Sequence, residues 1–135
     1  NLINEWELNK IINNEFKSLS DGQKRRALLA RALVHDPEIL VLDEPFCNLD
    51  VKSYLILNQN LNKLIKQSIN LVYVTHNLES ILLKTNRVLF IKEGKIVKDG
   101  HPNDLLNSKQ LSQLFNISIN VIEQNGYWRM IPLNN

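Results

Sequence analysis

Apolar positions change their rhythm several times along the chain, and each change predicts an element. In the stretch LSDGQKRRALLARALV, residues 19–34, the good helix formers Ala27, Leu28, Leu29, Ala30, Ala32 and Leu33 predict a helix to about Val34. Ser20-Asp21-Gly22-Gln23 has the S-x-x-Q form of a capping box at its start, where hydroxyl and amide satisfy orphan backbone N–H groups. His35-Asp36-Pro37 stops it, because the residue before a proline is pushed out of the helical region. Ile39-Leu40-Val41-Leu42 reads as a strand buried on both faces, ending in Asp43-Glu44-Pro45. A second helix is expected over about residues 51–67, with Leu55, Leu61, Leu64 and Ile65 as its apolar face. Residues 69–75 form another short buried strand that ends at His76, and a third helix is predicted over roughly 77–84. Residues 88–91 and 95–98 flank Glu93-Gly94 as a hairpin. At the edges of the chain, Leu2, Trp6, Leu8, Ile11 and Ile12 mark a short helix within 1–17, residues 102–115 are helical in part, and 117–133 make a hairpin around Asn125-Gly126. Buried strands alternating with helices predict an α/β fold with a parallel sheet.

Composition narrows the classes without choosing among them. With 135 residues, 44% hydrophobic and 22% charged, the chain reads as a single globular domain able to bury a core. A net charge of +2, with basic residues scattered, is too small for a general nucleic-acid surface. The lone Cys47 excludes an internal disulfide framework and fits a reducing cytosol. No apolar run approaches the length of a membrane span, and no secretory leader pattern stands at the front. The chain begins at Asn1 rather than Met, as a piece of something longer would.

Charge placement poses one puzzle. Lys24, Arg25 and Arg26 follow directly on the start of the first long helix, although cations there oppose the helix macrodipole. The arrangement makes sense with an anion nearby; the plainer reading is three basic side chains fanned into water. Ligands of open α/β sheets bind beyond the carboxyl ends of the parallel strands, and Asp43, Glu44 and His76 fall at two such ends. Asp43 offers a hard oxygen ligand to Mg²⁺, Glu44 a proton acceptor for an attacking water, and His76 a hydrogen bond that holds that water in line with a terminal phosphate. Taken singly, each has a simpler reading, as a helix-capping acid or a structural histidine.

Taken in order, LSDGQ, ILVLDEP, Asn48-Leu49-Asp50 and Thr75-His76 resemble the ATP-binding-cassette (ABC) family of ATPases over residues 19 to about 102. LSDGQ is similar to its signature motif, ILVLDE to its Walker B motif, NLD to its D-loop, and His76 to its switch histidine. The resemblance implies a partial P-loop NTPase domain. Residues 1–36 would end the helical subdomain and carry the signature helix, 37–102 would form the Walker B to switch-histidine core, and 103–135 the tail, with a C-terminal β-hairpin and helix. It implies ATP and Mg²⁺ as cofactors, with Glu44 as general base, Asp43 at the metal and His76 at the γ-phosphate. Two such domains sandwich ATP head to tail, so Ser20, Gly22 and Gln23 would act in trans on nucleotide held by a second nucleotide-binding domain, and Asp50 would couple the two sites. The free N–H groups of a helix start suit that task, Gly22 allowing close backbone approach. Asp21 departs from the commonest family form, which has glycine, and adds a carboxylate near a phosphate.

No G-x-x-x-x-G-K-[ST] occurs; the glycines are Gly22, Gly94, Gly100 and Gly126. Without that P-loop this polypeptide is expected neither to bind ATP tightly nor to hydrolyse it alone. Arg87 to Pro102 resembles the end of a transporter ATPase, and Asp104-Leu105-Leu106 through Gly126-Tyr127-Trp128 the tails of ATPases from importers of iron chelates, haem or cobalamin. The resemblance implies a cytoplasmic subunit, peripheral on the inner face of the membrane, that docks on transmembrane permease subunits and powers import, with no nucleic-acid partner. The alternatives are a nucleic-acid-associated ABC ATPase of the DNA-repair or translation-factor type, marked by an upstream coiled coil or a second cassette, and a non-catalytic fragment.

Overall fold

In the computed structural model, which describes residues 1–131 and 133, the chain folds as two units, Asn1–His76 and a second from Asn77 onward, each with its own core. In the first unit, Leu2–Glu5 (α1) is a single helical turn, followed by 3₁₀ turns at Asn9–Ile11 and Phe16–Ser18. One helix was expected within 1–17; Glu7 instead takes a positive φ of 53° and interrupts it. The segment is nevertheless pinned, because Trp6 is fully buried between two anchors. Arg26 donates to the Glu7 carboxylate at 3.1 Å, and Asn60 donates to the Glu5 carbonyl at 3.4 Å.

The helix Asp21–Ala32 (α2) begins on the expected capping box: Ser20 Oγ accepts from the Gln23 N–H at 3.3 Å, and Gln23 Oε1 accepts from the Ser20 N–H at 2.9 Å. Asp36, at φ 47°, turns the chain ahead of Pro37. Ile39–Asp43 (β1) and Asn70–Val74 (β2) pair in parallel, Ile39 opposite Asn70 through Asp43 opposite Val74, and Val51–Lys66 (α3) connects them. Along α3 the buried positions are Leu57, Asn60, Leu61 and Leu64, one stripe at helical spacing. Leu55, two residues off that stripe, is exposed, which corrects its place in the expected apolar face.

The sheet departs from expectation in a second way. Leu40 is buried, and Leu42, Leu71 and Tyr73 are half-buried on the same face. Ile39, Val41, Val72 and Val74 point the other way and are 57%, 69%, 54% and 53% exposed. A strand predicted to be covered on both faces is therefore covered on one, with side chains alternating in and out at the period of two that a pleat imposes.

In the second unit the expected helix over 77–84 is a single 3₁₀ turn, Leu78–Ser80. Asn77 Oδ1 accepts from the Glu79 N–H at 3.0 Å and Ser80 Oγ donates to the Asn77 carbonyl at 2.6 Å, after which Ile81 is extended. Leu78, Ser80, Ile81 and Leu82 are all buried. Both predicted hairpins form. Val88–Lys92 (β3) and Lys95–Gly100 (β4) turn at Glu93-Gly94, with φ of 51° and 72°; Asn120–Gln124 (β5) and Tyr127–Ile131 (β6) turn at Asn125-Gly126, with 55° and 80°. Two consecutive positive φ values mark the turn whose twist matches the strands. Pro132, within the predicted terminal hairpin, lies outside the described residues. Between the hairpins lie the helices Pro102–Leu105 (α4) and Ser108–Phe115 (α5), and Phe90, Leu105, Leu111 and Trp128 close the core with Leu78 and Ile81.

Candidate functional site

The carboxyl ends of β1 and β2 carry the densest chemistry. Glu44, the residue after β1, takes φ 43°, a left-handed conformation uncommon outside glycine. Its N–H donates to the Val74 carbonyl at 3.0 Å, extending the parallel ladder by one bond. Its Oε1 accepts twice from His76, from the backbone N–H at 3.0 Å and from ring Nδ1 at 2.6 Å, which leaves Oε2 open. The glutamate side chain is 30% exposed and the imidazole 75%. With Nδ1–H committed to the carboxylate, Nε2 accepts in the neutral ring and donates only in the imidazolium. Asp43 is exposed at the end of β1, opposite Val74 in the parallel ladder.

The start of α2 and the start of α3 form a second cluster. A Cβ on Gly22 would lie 2.7 Å from the Ser53 Cβ, so close packing of α2 on α3 already demands glycine there. Gly22 had been expected to serve ligand approach; the chain's own helix packing gives an internal reason for it. Ser53 is in turn held by Asp50, whose Oδ1 accepts from the Ser53 N–H at 3.0 Å and Oδ2 from Ser53 Oγ at 2.7 Å. Those bonds, the backbone one first, hold the Asp50 carboxyl below the usual carboxylate range. Ser20 and Gln23 bond to each other, and Asp21, the first residue of α2, is exposed.

The structure therefore brings Glu44 and His76 into direct contact and links Gly22 to Asp50 through Ser53. The three cations are sorted too. Arg25 reaches across to donate to the Glu44 backbone carbonyl, and Arg26 is buried on Glu7. Two of the three thus turn to acceptors of this chain rather than to an external anion or to water. No signal in the sequence separates Arg25 from its neighbours, since either arginine fits the helical spacing. Two shallow clefts of about 500 Å³ lie on the second unit, one lined by Asn103, Asn107, Ser108 and Trp128 and the other by Gln124, Tyr127 and Arg129; neither touches these residues. No helix among the described residues is long and apolar enough to cross a membrane.

Comparison with known proteins points to one family. The sequence profile of the family described as "ABC transporter" matches residues 1–47. An uncharacterized ABC transporter ATP-binding protein, YlmA, of Bacillus subtilis is 36% identical over 109 residues, 79% of this chain and 41% of its own length. Among solved structures, an inward-facing conformation of a putative metal-chelate type ABC transporter superposes with a TM-score of 0.84 at 26% identity, covering 98% of this chain and 55% of that one. The dimeric structure of an ATP-binding cassette in a post-hydrolysis state, bound to ADP and Pi, superposes with a TM-score of 0.66 at 29% identity, covering 74% of this chain and 44% of that one. The chain spans about half or less of the length of these proteins.

Proposed function

Because this chain belongs to the ATP-binding-cassette family of ABC transporters, we propose that it is the C-terminal portion of an ATP-hydrolysing transporter subunit. Residues 1–36 end the helical subdomain, 37–102 form the core from Walker B to the switch histidine, and 103–135 form the tail. The observation that carries the reading is the Glu44–His76 pair beside the exposed Asp43, at the carboxyl ends of two parallel strands.

Each residue then has a task. Glu44 is the general base: its open Oε2 accepts the proton of a water as that water attacks the γ-phosphate. His76 orients that carboxylate through Nδ1, and its Nε2, exposed to solvent, donates to the terminal phosphate in the imidazolium form. Asp43 fits Mg²⁺, a cation that keeps several waters and takes one or two carboxylates beside the substrate's phosphates, whose charge it neutralises. Among the described residues no three His, Cys, Asp or Glu converge. Ser20, Gly22 and Gln23 open α2 toward nucleotide on a second nucleotide-binding domain, where unpaired N–H groups and the positive helix end favour an anion. Asp50, capping α3 beside Gly22, couples the two sites. The dimeric cassette with ADP and Pi supports both the nucleotide and the pairing.

The intact subunit works on the cytoplasmic face of a membrane, docked on permease subunits. The match over 98% of this chain to a metal-chelate type transporter supports the chelate branch of importers. Calorimetry with Mg-ATP tests the reading, run on the 135-residue chain and on a longer polypeptide that adds a P-loop upstream. Binding by the longer form alone is expected, with Glu44→Gln then keeping affinity and lowering hydrolysis by about 10²- to 10⁴-fold. Tight binding by the short chain overturns the assignment of a severed ATPase.

A further inference from the structure

Arg25 has no task in the proposed mechanism, yet it joins α2 to the residue read as the general base. Glu44 is held at every backbone polar atom: its N–H by the Val74 carbonyl at 3.0 Å, its carbonyl by the Cys47 N–H at 3.2 Å and by the Arg25 guanidinium. Side chains rarely adopt φ near 43°, and such a conformation persists where the surroundings over-determine it. The holds from Val74 and His76 come through β2 and the second residue beyond it, and that from Cys47 through the local turn. Arg25 supplies the hold from α2 across 19 residues of sequence, as a partly buried, charge-assisted bond.

We propose that Arg25 is a positioning residue for Glu44. Its guanidinium fixes the backbone turn that aims the Glu44 carboxylate at His76, and so ties the helix facing one nucleotide to the base acting on the other. The tie between the two nucleotide sites rests on the proposed function; the positioning of Glu44 does not. In the head-to-tail arrangement α2 of one domain meets the phosphate held by its partner, while its own Glu44 serves the second site. A displacement of the start of α2 is then transmitted through one side chain to the base of the opposite site. The puzzle of cations at this helix start is answered from inside the chain. Arg25 is placed by the carbonyl it must reach, and its cost against the helix dipole is offset there.

The test begins on the 135-residue chain. Nuclear magnetic resonance reads the Glu44 backbone conformation from its three-bond coupling and carbon shifts, and the His76 ring from its Nδ1 signals. In Arg25→Met, Glu44 is expected to leave the left-handed region and His76 to lose its hydrogen-bonded Nδ1 signature, with the β1–β2 cross-strand signals intact. Arg25→Lys, which keeps one charged donor but not the planar fork, retains part of both signatures, and Lys24→Ala leaves them unchanged. Unaltered Glu44 and His76 signals in folded Arg25→Met overturn the proposal. Should that variant unfold, Arg25→Gln decides by the same two signals. In the P-loop-extended polypeptide, Arg25→Met is expected to lower kcat about 10- to 100-fold with KM for ATP held within about twofold. A rise in KM at unchanged kcat overturns positioning. Hydrolysis that survives Glu44→Gln sinks the functional reading instead, and leaves the spectroscopic result standing.

Discussion

Asp50 is the residue whose charge state the fold controls most plainly. Two bonds from Ser53 favour its carboxylate, so its folded pKa lies below the unfolded one. The stabilisation it gives is complete above the unfolded value of about 3.9 and is lost as pH falls through the lowered one. Wild type and Asp50→Asn are therefore expected to differ in Tm at neutral pH and to converge in acid, measured by thermal melts between about pH 2 and 7. A difference that stays constant over that range refutes the capping account. The same scale separates what a reader of the sequence sees from what is hidden. The Ser20–Gln23 box is a local contact three residues apart, so its spacing announces it. Arg25 on the Glu44 carbonyl and Asn60 on the Glu5 carbonyl join residues far apart in the chain, and nothing near either marks the partner.

Among elements, α2 and α3 approach closely where Gly22 faces Ser53. Gly22→Ala places a methyl group within 2.7 Å of the Ser53 Cβ and is expected to cost about 1–3 kcal/mol by urea denaturation. Adding Ser53→Gly should recover most of that loss once the cost of Ser53→Gly alone is subtracted; a purely additive pair would place the strain elsewhere. Elements governed by local chemistry were legible. The turns at Glu93-Gly94 and Asn125-Gly126, the stop at Pro37 and the apolar runs of β1 and β2 all stand where pattern puts them. Elements governed by tertiary contact were not. Residues 77–84 carry helix formers with Leu78, Ile81 and Leu82 at helical spacing, but Asn77 and Ser80 bond the backbone of one turn and Ile81 is extended. On α3, Leu55 and Leu57 look alike in sequence, and only the tertiary packing around the helix chooses the second.

For the molecule as a whole, the decisive feature is the uncovered face of β1 and β2. Parallel sheets are ordinarily covered on both sides, and the continuous apolar runs of these strands follow that rule. Their site geometry is already in place on one cover, since Glu44 and His76 meet at the strand ends without the other. On the proposed reading, a P-loop-bearing segment supplies the second cover. Val41→Lys is then expected to change the stability of the 135-residue chain by no more than about 0.5 kcal/mol, because Val41 is 69% exposed. In the P-loop-extended polypeptide the same change buries a charge and should cost several kcal/mol, read as a lost or lowered unfolding transition. Equal effects in both would show that the face stays open to water.

That open face also sets how the chain behaves in a crowd of its own copies. Ile39, Val41, Val72 and Val74 form a greasy platform on a sheet of two strands, each with one edge that no other described strand pairs. Such a platform with unsatisfied edges is a template for stacking and strand addition. Solubility should accordingly fall off with concentration sooner than a net charge of +2 and a hydrophobic share of 44% suggest. In a cell the same patch is a handle for chaperones and proteases, so the lifetime of this polypeptide is governed by whether something covers Ile39, Val41, Val72 and Val74 before a holdase does.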